Sequence, residues 1–315
     1  MTTRKQIKSV AVKKVLKTTP VKVAAVKPFT STQRDCIKQG EMLYSQLSLK
    51  VKHALGKLVL PVESKRHHYI ASTPGAGKTW TVQNTADKYK VELFKIQGVA
   101  TMNAVAIQLA TAAYNSPTKK MIIWIDDCDS LFIERDSLSV MKGALDEDRN
   151  ILAWNKNMSA QIAIYERSSS ASDVRRGEAM RNFQSEDGVG LSIPTDNMRF
   201  IITSNRFLAA PNSNLNTVRK MDEAAIHDRV NYKEYNLDKN SSWGWIAYTL
   251  IKSTTLNVDI HQKHILLDWM YNNWERLPST SMRSVKELIA DMLNYKRNYP
   301  DHWQSRLSST PIKPT

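Results

Sequence analysis

Eight consecutive residues, Ser72-Thr73-Pro74-Gly75-Ala76-Gly77-Lys78-Thr79, constrain this chain more than any other feature. The two glycines let a backbone curl until successive N–H groups point inward, and a lysine and a hydroxyl follow at once. The pattern is G-x-x-x-x-G-K-[ST] with Ser72 in place of the first glycine. That replacement is tolerable if the position needs no positive φ. Such a loop requires a strand before it and a helix after it. Residues 68–73 read as a buried strand and 78–89 as a helix, so both are supplied. Inward N–H groups and the positive end of the helix form a cradle for phosphate. Thr73, Pro74, Gly75, Ala76, Gly77, Lys78, Thr79 and Trp80 are the candidate nucleotide-binding residues. In this arrangement Lys78 reaches the β- and γ-phosphates, and Thr79 offers a hydroxyl to Mg²⁺. Trp80 either packs on the sheet or lies near the nucleotide.

About fifty residues on, Met121-Ile122-Ile123-Trp124-Ile125-Asp126-Asp127 is an apolar strand ending in two acids. At the carboxyl edge of a sheet these carboxylates stand beside the phosphates. Asp126 is then a Mg²⁺ holder through its water shell, and Asp127 the group that orients or deprotonates water. A third apolar strand, Phe200-Ile201-Ile202-Thr203-Ser204, ends at Asn205. If it lies between the first two, the amide sits near the γ-phosphate.

The run P-G-A-G-K-T, then W-I-D-D-C-D-S-L, then I-I-T-S-N resembles the AAA+ ATPase family, over roughly residues 40–295. The family commonly has Glu where Asp127 stands, one methylene longer. The resemblance implies ATP and Mg²⁺, and a homo-oligomer, ring or spiral, with nucleotide at subunit boundaries. It implies two further residues. Ala225-Ile226-His227-Asp228-Arg229-Val230 resembles the segment bearing a trans-acting arginine finger, so Arg229 is the candidate, with Arg206 and Arg219 as competitors. Ser281-Met282-Arg283-Ser284-Val285 resembles the second sensor, with Arg283 touching the γ-phosphate across a cleft.

The expected fold is α/β: a parallel-sheet P-loop AAA+ core, a small C-terminal all-helical lid and a basic, flexible N-terminal arm. Residues 1–30 form the arm and 31–238 the nucleotide-binding domain, opening with one or two amphipathic helices. Residues 239–305 form the lid and 306–315 a flexible tail. Helices are expected at 102–114 and 138–145 and a strand at 91–96. Residues 156–198 break the strand–helix rhythm. This polar stretch, with Ser168-Ser169-Ser170 and Arg175-Arg176, reads as a long functional or disordered loop. Asp129 reads as a cap for the turn that follows.

Charge bears on what the ATP energy acts on. The formal net charge is +15, and eight Lys/Arg with no acid lie in the first 27 residues. A field of this kind favours polyanions, nucleic acid before an anionic membrane. The insert stands where several AAA+ branches carry a DNA-engaging hairpin, just before the Asn-bearing strand. It offers Tyr165, Arg175, Arg176 and Arg181, diluted by Glu166, Glu178, Glu186 and Asp187. The leading reading is therefore an ATPase remodelling nucleic acid or a nucleoprotein complex, such as a replication initiator, helicase loader or helicase. The alternative is a protein remodeller acting on a specific protein partner. The stretch 97–102 has no aromatic with which to grip polypeptide, which lowers that alternative. The two cysteines, Cys36 and Cys128, are far apart, and no apolar run approaches a membrane span. The expectation is a soluble cytoplasmic protein, in the host cytoplasm if viral, since the long insert and lysine-rich style also resemble phage proteins.

Overall fold

The computed structural model describes residues 28–58, 65–98, 100–214, 217–253, 258–277 and 281–298. The basic segment 1–27 and the tail 306–315 lie outside the described residues. Ten α-helices and seven strands are described. Five strands make one parallel sheet in the order β2-β3-β6-β1-β7: β1 His68–Ser72, β2 Phe94–Gln97, β3 Met121–Asp126, β6 Met198–Ser204 and β7 Asn231–Tyr235. The Asn-bearing strand β6 does lie between β1 and β3. This brings the carboxyl ends of all three together.

Period-two alternation along these strands divides the core between two faces. Tyr69, Ile123, Ile125, Phe200 and Ile202 face helices α3 (Met102–Asn115) and α4 (Arg135–Ala144). Ile70, Trp124 and Ile201 belong to a second buried cluster with residues of α1 (Ser31–Ala54), α2 (Lys78–Tyr89) and the C-terminal helices α8 (Lys239–Lys252), α9 (Ile260–Asn272) and α10 (Met282–Asn298). Burial of both faces explains why the central strands read as unbroken apolar runs.

The N-terminal amphipathic stretch is one helix, α1, started by a capping box between Thr30 and Gln33. It crosses α8 where Gly40 meets Gly244, so closely that no Cβ fits at either residue. Residues 156–198 are not a loop. Strands β4 (Ile151–Trp154) and β5 (Leu191–Pro194) form an antiparallel hairpin outside the main sheet. Between them lie helices α5 (Ser159–Glu166) and α6 (Ala171–Asn182). Met158, Ile162 and Met180 anchor this unit in the core, spaced too sparsely among polar residues to show as a periodic stripe. Helix α7 (Val218–Arg229) then leads to β7. Among the described residues no helix is long and apolar enough to cross a membrane.

Candidate active site

The loop between β1 and α2 turns through left-handed backbone at Gly75 (φ 88°) and Gly77 (φ 73°). Ser72 ends β1 outside the positive-φ region, which is why serine can replace glycine there. No side chain caps α2, so its first-turn N–H groups face outward to an anion. Gly77 has a second reason to be glycine: a Cβ there would lie 3.1 Å from the Trp245 ring on α8.

Lys78 is buried and its ammonium has three acceptors: the Ser72 carbonyl at 3.1 Å, the Ser72 hydroxyl at 2.7 Å and Asn205 Oδ1 at 2.9 Å. Burial lowers its pKa to about 8, opposed by the charges of Asp127, Asp129 and Asp126. Asn205 Nδ2 in turn donates to Asp127 Oδ1 at 3.2 Å. Lysine, amide and second acid thus form one chain of contacts.

Asp126 is fully buried. Its Oδ1 accepts from Thr79 Oγ1 at 2.9 Å and from Thr203 Oγ1 at 2.7 Å. Its Oδ2 has no hydrogen-bond partner among the described residues and stands 3.5 Å from Lys95 Nζ. The Thr79 hydroxyl and the Asp126 carboxylate, one oxygen of which accepts no hydrogen bond, are hard donors that fit Mg²⁺. Asp127 sits just past β3 with φ 54°, its N–H donating to the Thr203 carbonyl at 3.0 Å. That left-handed step takes the second acid out of the strand and into an exposed position. Desolvation first and then the neighbouring Asp126 charge raise its pKa.

The structure therefore brings together Lys78, Thr79, Asp126, Asp127 and Asn205. Arg229, at the end of α7, pairs instead with Asp146 at 3.0 Å and donates to the Ala225 carbonyl at 2.8 Å. It lines a cavity of about 660 Å³ with Lys142, Asp146 and Arg149. Arg206 and Arg219 both pair with Glu223. Arg283 is exposed in the first turn of α10, with no hydrogen bond or ion pair to the loop among the described residues.

Asp129 departs from the expectation raised by the residues alone, and of the two places open to Trp80 the sheet is not the one it takes. Asp129 caps nothing; its carboxylate accepts the Ser204 hydroxyl beside the site. Trp80 is 51% exposed rather than packed on the sheet. It faces Tyr44 of α1 at 6.3 Å, and Tyr44 also meets Trp245 and Tyr248 of α8, each at 5.5 Å. This aromatic group joins α1, α2 and α8 next to the phosphate loop. No sequence motif marks it.

No curated protein matches the chain in sequence. Among solved structures, the RuvB Holliday junction branch migration motor of Thermotoga maritima is similar with a TM-score of 0.42 at 12% identity. The match covers 87% of this chain, which spans 65% of that one. The family model described as "ATPase family associated with various cellular activities" matches residues 68–226, half of the chain and every strand named in the site. The chain belongs to the AAA family of ATPases.

Proposed function

We propose that the chain couples ATP hydrolysis to remodelling of nucleic acid or a nucleoprotein complex. The observation that carries this reading is the charge distribution: the acid-free first 27 residues hold eight of the positive charges behind a net +15. The α5–α6 unit contributes less than its arginines promise, because Arg176 pairs with Asp173 and Arg181 with Glu166. The N-terminal arm is therefore the principal phosphate-binding element.

In this reading the first-turn amides of α2 and Lys78 hold the phosphates. Lys78 exchanges Ser72 and Asn205 for phosphate oxygens. Thr79 and Asp126 hold Mg²⁺, which when bound neutralises charge on the β- and γ-phosphates. Asp127 takes a proton from water that Asn205 orients. The Tyr44, Trp80, Trp245 and Tyr248 group receives the base. Arg229, released from Asp146, reaches the nucleotide of a neighbouring copy in a ring or spiral, and Arg283 closes from the helical lid.

The test is steady-state ATP hydrolysis with single-stranded DNA, duplex DNA or an unfolded polypeptide, using Lys78→Ala as blank. Stimulation by DNA, weakened by deletion of residues 1–27 while basal turnover persists, is the expected result. For every phosphate that the shortened protein no longer neutralises, the log–log salt dependence of DNA binding should flatten by about 0.9. Stimulation by polypeptide alone would replace this reading with a protein remodeller.

A further inference from the structure

We propose that Lys95 is a built-in counter-ion that competes with the divalent cation for Asp126 and so sets the metal affinity of the site. The proposal rests on the reading of Asp126 as a metal holder. Its starting point is electrostatic. A carboxylate wholly removed from water needs opposite charge nearby, and hydroxyl donors alone do not supply it. Asp126 has hydroxyl donors on Oδ1 only. For Oδ2 the positive charge is Lys95, on the edge strand β2, whose Nζ stands 3.5 Å away.

The geometry of that pair is loose. At 3.5 Å the contact lies beyond a well-formed hydrogen bond, and Oδ2 accepts none. The same ammonium lies 4.1 Å from the centre of the Trp124 ring, which is Lys95's register partner across β2 and β3. The cation is thus shared between a carboxylate and an aromatic face, held by charge and not by a directional bond. Lys95 is 30% exposed in its side chain, and its flexible stem leaves it a route outward at the sheet edge. A divalent cation at Thr79 and Asp126 puts two further positive charges beside this ammonium. Both cations cannot keep their positions without repulsion at short range. Metal binding therefore carries the cost of displacing Lys95, and the free site keeps its buried acid compensated.

The experiment measures Mn²⁺ binding by electron paramagnetic resonance in the presence of ADP, so no turnover is needed. Lys95→Met should bind Mn²⁺ roughly tenfold more tightly than the parent, and Lys95→Arg, which keeps the charge, should bind it as the parent does. Lys95→Gln serves in place of the methionine variant if that protein does not fold. Unchanged or weaker Mn²⁺ binding without the charge overturns the proposal, as does equal tightening in Lys95→Arg. Asp126→Asn separates the two levels. If it leaves Mn²⁺ binding intact, the metal reading of Asp126 falls. If it abolishes binding while Lys95→Met changes nothing, only the competition falls.

Discussion

Replacing Gly244 by alanine sets two physical arguments against each other. Helix propensity alone favours the change by about 1 kcal/mol, since alanine is the better helix former. The crossing of α1 and α8 forbids it. A Cβ on Gly244 would lie 1.9 Å from the Cys36 carbonyl oxygen and 2.5 Å from its carbon. Both obstructing atoms are backbone, so no side chain can swing aside. Ordinary van der Waals separation is about 3.5 Å, and α1 must therefore retreat by about 1.5 Å. The packing of Leu47, Val51, Trp243 and Ile246, all buried around this crossing, loosens as it opens. Overpacking of this kind costs about 1–3 kcal/mol, and the rigid obstruction places this case near 3 kcal/mol. For a chain of 315 residues that lowers the melting temperature by about 4–5 °C. Function should follow, because the next residue, Trp245, rests against Gly77 of the phosphate loop. The KM for ATP should rise severalfold. Thermal unfolding and steady-state kinetics of Gly244→Ala and Gly40→Ala check both levels. A melting temperature within about 2 °C of the parent, or a higher one, with an unchanged KM would refute the crossing argument.

Four further outcomes are expected. Burial holds Lys78 at about 8 in the free enzyme. Its positive charge is present below that pH and lost above it, so kcat/KM for ATP should fall above about pH 8 while kcat holds to higher pH; a kcat/KM flat to about pH 9.5 contradicts this. Asp127→Asn should lower kcat roughly a hundredfold or more while a fluorescent ATP analogue still binds, and near-parental turnover would remove Asp127 as the water activator. Asn205→Ala unlinks Lys78 from Asp127 and should lower kcat about ten- to a hundredfold without weakening ATP binding, which calorimetry can separate. Mixing Lys78→Ala with Arg229→Ala protein should recover part of the ATPase rate; no recovery from two variants that both assemble would exclude Arg229 as a trans-acting group.

Sequence legibility follows how local each requirement is. The phosphate loop, the acid-ended strand β3 and strand β6 are readable because their chemistry demands particular residues at adjacent positions. Helix α2 occupies the residues its pattern predicts, and β1 does so to within one residue. Strand β7 gives no such signal: its sequence N-Y-K-E-Y is polar because it forms the sheet edge with only Tyr235 buried. Residues 156–198 read as a loop because their helices are anchored by a few scattered apolar residues. The glycine crossing and the aromatic group are beyond reach for a different reason. Cys36 and Gly244, or Tyr44 and Trp245, lie about two hundred residues apart, and nothing in either local pattern names its partner. Asp129 and Lys95 are hidden in the same way, since each acquires its role from a neighbouring strand.

The site's contacts also determine what binding ATP can achieve. Nearly every functional group already has a partner within the chain: Lys78 with Ser72 and Asn205, Asn205 with Asp127, Thr79 with Asp126, Arg229 with Asp146. An arriving nucleotide therefore replaces contacts instead of simply adding them, and the net gain per group is the difference between two hydrogen bonds rather than one whole bond. This tempers ground-state affinity and leaves the replacements to favour the transition state, where charge on the transferring phosphoryl group is greatest. It also links the groups. When Lys78 turns to phosphate it frees Asn205 Oδ1, and the amide can turn toward water while still donating to Asp127. In the proposed mechanism, occupancy of the phosphate loop would thereby reach Asp127 through one side chain.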